Sequence, residues 1–89
     1  MDQIDGLTYQ TLDTALLQLG FQKRETEKAR FYEHASTGAV VAYPLRSLTD
    51  APQRTHLSAT AATLEMFGIK DQYDFYLLLL RLIPIKVAA

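Results

Sequence analysis

The sequence predicts a small α+β domain, because two segments with the apolar spacing of helices enclose one with the composition of strands. Each helical segment repeats apolar residues at i, i+4 and i+7. The two stripes are Leu12, Leu16 and Leu19, and Leu57, Ala61 and Leu64. Between them, aromatic and β-branched residues cluster between short polar breaks, which is typical of strands.

The first helix is predicted from about Tyr9 to Leu19, with Thr8 as its N-cap. Gly20 can take the left-handed conformation after it, and Phe21 can then pack back onto the helix in a Schellman ending.

Three strands are predicted, joined by turns short enough for an antiparallel meander. The strands run from Phe21 to Thr26, from Arg30 to His34 and from Ala39 to Tyr43, with turns at Glu27 to Ala29 and Ala35 to Gly38. Pro44 follows directly and cannot donate to a ladder, so pairing is expected to end there.

Pro44 to Gln53 is predicted to be a loop, in which Asp50 followed by Pro52 resembles a helix entry. The second helix comes next and is predicted to end at Gly68, with Ile69 covering Leu64. The order of helix, three strands and helix is that of a double-stranded-RNA-binding-like α-β-β-β-α layer, with both helices on one face of the sheet. A C-terminal helix over about 71–83 is added, stopped by Pro84.

This added helix, YDFYLLLLRLI, is apolar nearly all round. It is interpreted as a core helix that covers one end of the sheet, or as a surface for a dimer or partner. The residues predicted for a partner interface are Phe75, Tyr76, Leu78 and Leu79. A strand over Leu77 to Val87 stays open as an alternative.

With 89 residues, of which 48% are hydrophobic, the chain is expected to form a single domain over 1–89, with its core at about 8–69. No cysteine is present, which excludes disulfides and thiolate chemistry and fits a reducing cytoplasm. The acidic N-terminus does not resemble an export signal, and the apolar stretch from Phe75 to Leu80 is too short to span a membrane.

Catalytic and metal chemistry have little support in the residue types. The two histidines, His34 and His56, stand alone, so no metal site, catalytic triad or cofactor is predicted. The net charge of −1 means that any contact with RNA has to come from a local basic patch.

The segment KRETEKARFYEH provides such a patch, because cations and aromatic residues alternate along a predicted hairpin. The predicted RNA-binding residues are Lys23, Arg24, Lys28, Arg30, Tyr32 and His34, extended by Arg46 and Arg54. Strand alternation places Arg30, Tyr32 and His34 on one face and Phe31 and Glu33 on the other. The alternative is a solvated sheet face with cross-strand ion pairs.

The succession of a helix ending in LGF, a charged strand, a hairpin into YEH, a glycine turn and a helix ending before Gly-Ile resembles the HicA (YcfA-like) family of bacterial toxins. In particular it resembles a HicA-like subgroup with a short acidic and aromatic tail. The resemblance covers about Thr8 to Phe75. It implies a double-stranded-RNA-binding-like fold and, for active members, cleavage of messenger RNA and neutralisation by a cognate antitoxin.

The family motif is GSHxxYxH, whose first histidine is held to be catalytic, and the matching stretch here is EKARFYEH. Tyr32 and His34 coincide with the last two motif positions, whereas Ala29 stands at the catalytic histidine position. Alanine cannot transfer a proton. Lys28 and His34 are the available substitutes, but a lysine needs a lowered pKa and His34 has the opposite strand parity.

The resemblance therefore predicts a catalytically degenerate HicA-like domain that binds RNA or a protein partner. Two alternatives remain open: an active mRNA interferase toxin with a replacement base, and a homodimeric protein-interaction module with no role on RNA. The expected partners are RNA, an antitoxin-like protein or a second copy, and no membrane.

Overall fold

A computed structural model describes residues 6–83, which form three helices and one three-stranded antiparallel sheet. The elements are α1 (Tyr9–Gln18), β1 (Gln22–Glu25), β2 (Ala29–His34), β3 (Ala39–Pro44), α2 (Arg54–Met66) and α3 (Gln72–Leu82). The predicted α+β class and the order of elements are confirmed. The N-terminal residues 1–5 and the predicted helix stop at Pro84 lie outside the described residues.

Both predicted ends of α1 are confirmed. The Thr8 hydroxyl accepts a hydrogen bond from the backbone N–H of Thr11, so Thr8 is the N-cap. Gly20 has φ +97°, and the N–H of Phe21 donates to the carbonyl of Leu16 at 3.0 Å. This is the six-to-one bond of a Schellman ending, and Phe21 is buried behind it.

The predicted start of α2 after Gln53 is confirmed, because the helix begins at Arg54 after the extended N-cap Gln53. Asp50 and Pro52 lie in the preceding loop and do not cap the helix. The carbonyl of Asp50 accepts a hydrogen bond from the N–H of Tyr9 at 3.0 Å. The loop therefore lies against the N-terminus of α1, where the first backbone N–H groups have no acceptor within the helix.

The end of α2 is as predicted. Gly68 has φ +69°, and the N–H of Ile69 donates to the carbonyl of Leu64 at 2.9 Å. The next helix follows at once, because the side chain of Asp71 accepts a hydrogen bond from the N–H of Tyr73 and caps α3.

The turn between β1 and β2 is shorter than predicted. The N–H of Thr26 donates to the carbonyl of Ala29 at 2.8 Å, and the Thr26 hydroxyl accepts from the N–H of Ala29 at 3.1 Å. These two bonds close a turn of Glu27 and Lys28 alone, so Ala29 belongs to β2.

Pairing between β2 and β3 continues past Pro44, contrary to the prediction. Pro44 lies opposite Ala29, and the N–H of Leu45 then donates to the carbonyl of Lys28 at 3.0 Å. Bonds to a neighbouring strand alternate along an antiparallel pair. The nitrogen of Pro44 therefore faces the free edge of the sheet, where a missing donor does not interrupt the ladder.

Both α1 and α2 contact the same face of the sheet. Asp13 of α1 accepts a hydrogen bond from Tyr32, and Thr60 of α2 bonds to Tyr43. Opposed residues share a face, so the register places Lys23, Tyr32 and Val41 on this helix-covered face. The residues of the other face are exposed or half-buried, so no element among residues 6–83 covers it. These outer residues are Gln22, Arg24, Ala29, Phe31, Glu33, Val40, Ala42 and Pro44.

The third helix packs mainly against α1 and α2, rather than over one end of the sheet as expected. Phe75 and Leu79 are completely buried and belong to the same core as Leu12 and Leu64. The alternative of a strand from Leu77 is wrong up to Leu82, since these residues are helical.

The buried carboxylate of Asp13 links α1 to β1 and β2. Asp13 is 3% exposed; its Oδ1 lies 3.1 Å from the Lys23 ammonium and accepts a hydrogen bond from the Tyr32 hydroxyl at 2.7 Å. Burial raises the pKa of Tyr32, and the hydrogen bond to Asp13 raises it further. Tyr32 therefore acts as a neutral donor to the carboxylate.

We expect Tyr32→Phe to lower the free energy of unfolding by about 1.5–3 kcal/mol, because it removes a buried hydrogen bond to a charged group. The matched control is Tyr73→Phe, since Tyr73 is 70% exposed; its effect should stay within about 0.5 kcal/mol. Urea denaturation of both variants measures the difference. Equal effects would mean that the Tyr32 hydroxyl contributes nothing to stability.

Candidate functional site

Three of the six predicted RNA-binding lysines and arginines are paired with carboxylates. Each of the three strand cations lies within ion-pair distance of one acidic side chain. The pairs are Lys23 with Asp13 (3.1 Å), Arg24 with Glu33 (3.1 Å) and Arg30 with Glu25 (2.6 Å). The last two are the cross-strand pairs of the alternative interpretation of this segment.

Two of the predicted RNA-binding residues face the core. Arg30 is 5% exposed and Tyr32 is 1% exposed, so neither offers a surface to a nucleotide. Side chains alternate along β2 as predicted, but the face that contains Arg30 and Tyr32 is the one covered by the helices. Burial alone would lower the pKa of Arg30. The hydrogen bond to Glu25 and the nearby Tyr32 outweigh the effect of burial, so the pKa of Arg30 is raised.

His34 contacts neighbouring side chains of its own turn and of the segment that follows α1. Its Nδ1 lies 2.9 Å from the hydroxyl of Thr37 in the β2–β3 turn, and its ring packs against Phe21 with centroids 5.0 Å apart. Ala29 begins β2 and His34 ends it, on opposite faces of the sheet. Along a strand, five residues span about 16 Å. His34 therefore does not reach the surroundings of Ala29.

Lys28 and Arg46 are brought to the same corner of the molecule. The hydrogen bond from the N–H of Leu45 to the carbonyl of Lys28 places Arg46 next to the β1–β2 turn. Both side chains are exposed, and neither forms an ion pair with any residue in the range 6–83. Arg54, the remaining predicted extension of the patch, is the first residue of α2.

A polar cluster at the start of α2 was not indicated by the sequence. The hydroxyl of Tyr9 lies 2.8 Å from Nδ1 of His56 and accepts a hydrogen bond from the N–H of Gln53 at 3.3 Å. Thr60 donates to the carbonyl of His56 at 2.8 Å, which leaves its oxygen to accept from Tyr43 at 2.5 Å. Burial raises the pKa of Tyr43, and its bond to Thr60 partly offsets this.

A shallow groove runs between β3 and α2, and we call it the β3–α2 groove. Its strand side is Val40, Val41, Ala42 and Tyr43, and its helix side is His56, Ala59, Thr60 and Thr63. None of these residues is an acid, a lysine or an arginine. Sequence periodicity could not indicate it, because the groove depends on how α2 lies beside the edge of the sheet.

The predicted partner interface is divided between the core and the surface. Phe75 and Leu79 are completely buried, and Tyr76 and Leu78 are half-buried against the same core. The side chains exposed instead lie at i, i+4 and i+7 on the outside of α3. They are Tyr73 (70% exposed), Leu77 (37%) and Leu80 (50%), and we call them the α3 stripe.

Two further features are absent from the part of the chain that the structure describes. Within residues 6–83, no cluster of histidine and acidic side chains could hold a metal ion. No helix in the same range is long and apolar enough to cross a membrane.

Comparison with known proteins found no matching family model, no similar curated protein and no similar solved structure. The resemblance to HicA toxins therefore rests on the sequence features given above and stays a prediction.

The division of α3 into a buried and an exposed side has a direct test. We expect Leu79→Ala to lower the free energy of unfolding by about 2–5 kcal/mol, since it empties a fully buried site. Leu80→Ala, on the α3 stripe, should cost less than about 1 kcal/mol. Thermal or urea denaturation compares them, and an equal loss in both would mean that α3 is oriented differently.

Proposed function

We propose that the chain is a HicA-like domain without ribonuclease activity and that it acts by binding a protein through the α3 stripe. In this proposal α1, the sheet and α2 correspond to the double-stranded-RNA-binding-like layer that the resemblance implies. The observation that carries it is the row of Tyr73, Leu77 and Leu80 on the outside of a helix whose other side is core.

The surroundings of the motif support the absence of ribonuclease activity. Ala29 carries no titratable group, and His34 lies at the far end of the strand on the other face. Lys28 lies in the exposed turn beside Ala29, where no buried pocket surrounds its ammonium group.

The distribution of charge supports a protein partner over RNA as the main ligand. Pairing with carboxylates neutralises Lys23, Arg24 and Arg30 locally, and counterion release on RNA depends on free cations. The α3 stripe presents two leucines and a tyrosine to solvent, and such side chains are common at the centre of protein interfaces. The partner is expected to offer an apolar groove, as an antitoxin-like protein could.

We expect a photo-crosslinking residue at position 80 to form a covalent adduct with another protein in cells of the native host. The same residue at position 17 is the matched control, since Leu17 is exposed to a similar extent (43%) and lies on α1. The adduct should disappear when Leu77→Asp is added, because a buried, unpaired carboxylate is unfavourable at an interface.

Three other outcomes have distinct meanings. Equal adducts at positions 80 and 17 would show that the α3 stripe has no special role. No adduct at either position would contradict the proposal. An adduct with the mass of two copies of the chain would assign the stripe to self-association.

RNA remains the second candidate ligand, because of one specific arrangement. Lys28 and Arg46 are distant in sequence but adjacent in space, and both are exposed without an ion-pair partner among residues 6–83. Two cations on one corner can contact phosphates without reading the sequence.

We expect the wild type, and likewise His34→Ala, to leave a labelled structured RNA intact. If the wild type binds this RNA, the double variant Lys28→Ala with Arg46→Ala should bind it more weakly. The slope of log affinity against log salt concentration should also fall, by the amount that corresponds to about two phosphate contacts. The control that removes the same charge elsewhere is Lys70→Ala with Arg81→Ala. Filter retention and gel analysis record binding and cleavage together.

Cleavage by the wild type would refute the degenerate-toxin proposal, and its loss in His34→Ala would make His34 the base. Cleavage by Ala29→His alone would support the resemblance, because that variant restores an imidazole at the motif position. Equal binding by both charge variants would exclude the Lys28 corner as the RNA site.

A further inference from the structure

No strand within residues 6–83 pairs with the outer edge of β3, and the hydrogen-bond pattern identifies the backbone groups that this edge leaves open. The turn bond from Thr26 to Ala29 assigns Ala29, Phe31 and Glu33 to pairing with β1, since bonding direction alternates along a strand. The residues between them, Arg30, Tyr32 and His34, therefore bond to β3. The bond between Leu45 and Lys28 agrees with this assignment.

In β3, it follows that Ala39, Val41 and Tyr43 bond inward, whereas Val40 and Ala42 face the free edge. No other backbone hydrogen bond among residues 6–83 involves Val40 or Ala42. The edge thus offers an N–H and a carbonyl at two residues, and it ends at Pro44, which has no N–H to offer.

The two edges of the sheet differ in chemistry. The strand β1 has the sequence QKRE, and charged side chains are the usual protection of an edge against pairing with another chain. The strand β3 has the sequence AVVAYP, without a charge on either face. Its protection is limited to the terminal proline, and Val40 is 52% exposed beside the open groups.

We propose that the β3 edge pairs antiparallel with the same edge of a second copy of this chain, which joins two three-stranded sheets into one of six strands. The favoured register places Val40 of each copy opposite Ala42 of the other. It satisfies the N–H and the carbonyl of both residues in both copies. A register centred on Ala42 sets Val40 against the nitrogen of Pro44, which has no hydrogen, and leaves a carbonyl unpaired.

A second copy fits this edge better than other strands for reasons of charge and shape. The β3–α2 groove contains no acid, lysine or arginine, so it selects an uncharged strand, and β3 is itself such a strand. Two-fold pairing also brings the α2 helices of both copies together. Their facing residues Ala59 and Thr63 are small and permit close approach, which adds helix surface to the strand contact.

The proposal is tested on the full chain by sedimentation and by light scattering after gel filtration, over a wide range of concentration. We expect a dimer in the wild type. Ala59→Arg places a charge in the groove and should weaken the dimer at least about tenfold. The matched control Ala62→Arg adds the same charge on the same helix, at an exposed residue outside the groove, and should leave the dimer intact.

A second variant and a backbone measurement keep the test independent of folding defects. Ala42→Pro removes one outward N–H from each copy and should also weaken the dimer, while circular dichroism checks that the fold is retained. Hydrogen exchange should slow at the amides of Val40 and Ala42 as concentration rises. The amides of Lys23 and Glu25, on the opposite edge, should not change.

A wild type that stays monomeric at every concentration would overturn the proposal. So would a dimer that tolerates Ala59→Arg and Ala42→Pro but separates on Leu80→Asp, since that result moves the contact to the α3 stripe. The proposed function in turn fails by a different measurement, the absence of a position-specific adduct at Leu80, so the two failures are distinguishable.

Discussion

The structure depends on the carboxylate of Asp13, which lies in the core and must be paired there. Burying an isolated charge costs much free energy. The fold is therefore stable only when Lys23 forms its ion pair with Asp13 and Tyr32 donates its hydrogen bond to it. These two residues lie opposite each other on β1 and β2. A single side chain of α1 therefore fixes the position of the helix relative to two strands at once, and a slip of either strand by one residue would leave the carboxylate without a partner.

This constraint also determines which surface is left for binding. The charged hairpin resembles an RNA-binding patch in the sequence, but Lys23 neutralises Asp13, Arg30 neutralises Glu25, and Tyr32 is used as a buried donor. The cations thus serve mainly to hold the sheet and α1 together. The surfaces that have no such partners among residues 6–83 are the apolar α3 stripe, the corner of Lys28 and Arg46, and the β3 edge.

Local features of the fold could be predicted from the sequence, whereas features that depend on distant contacts could not. The glycine endings of α1 and α2 were predicted correctly because they rest on five or six consecutive residues. The hydrogen bond from the N–H of Tyr9 to the carbonyl of Asp50 was not predicted, because it joins segments that are far apart in the sequence. The exposed side of α3 could not be predicted either. Its residues are apolar on every face, so periodicity does not distinguish buried Leu79 from exposed Leu80.

The two edges of the sheet show how one small domain can separate stability from association. The charged side chains of β1 form ion pairs with Asp13, Glu33 and Arg30. Charges on an edge strand also disfavour pairing with another strand. On β3, the inward residues Val41 and Tyr43 must be apolar or aromatic to pack under α2, and the outward residues carry no charge. A domain of this size has little core of its own. An uncharged edge beside a groove of small side chains is therefore where further burial through another strand is most accessible.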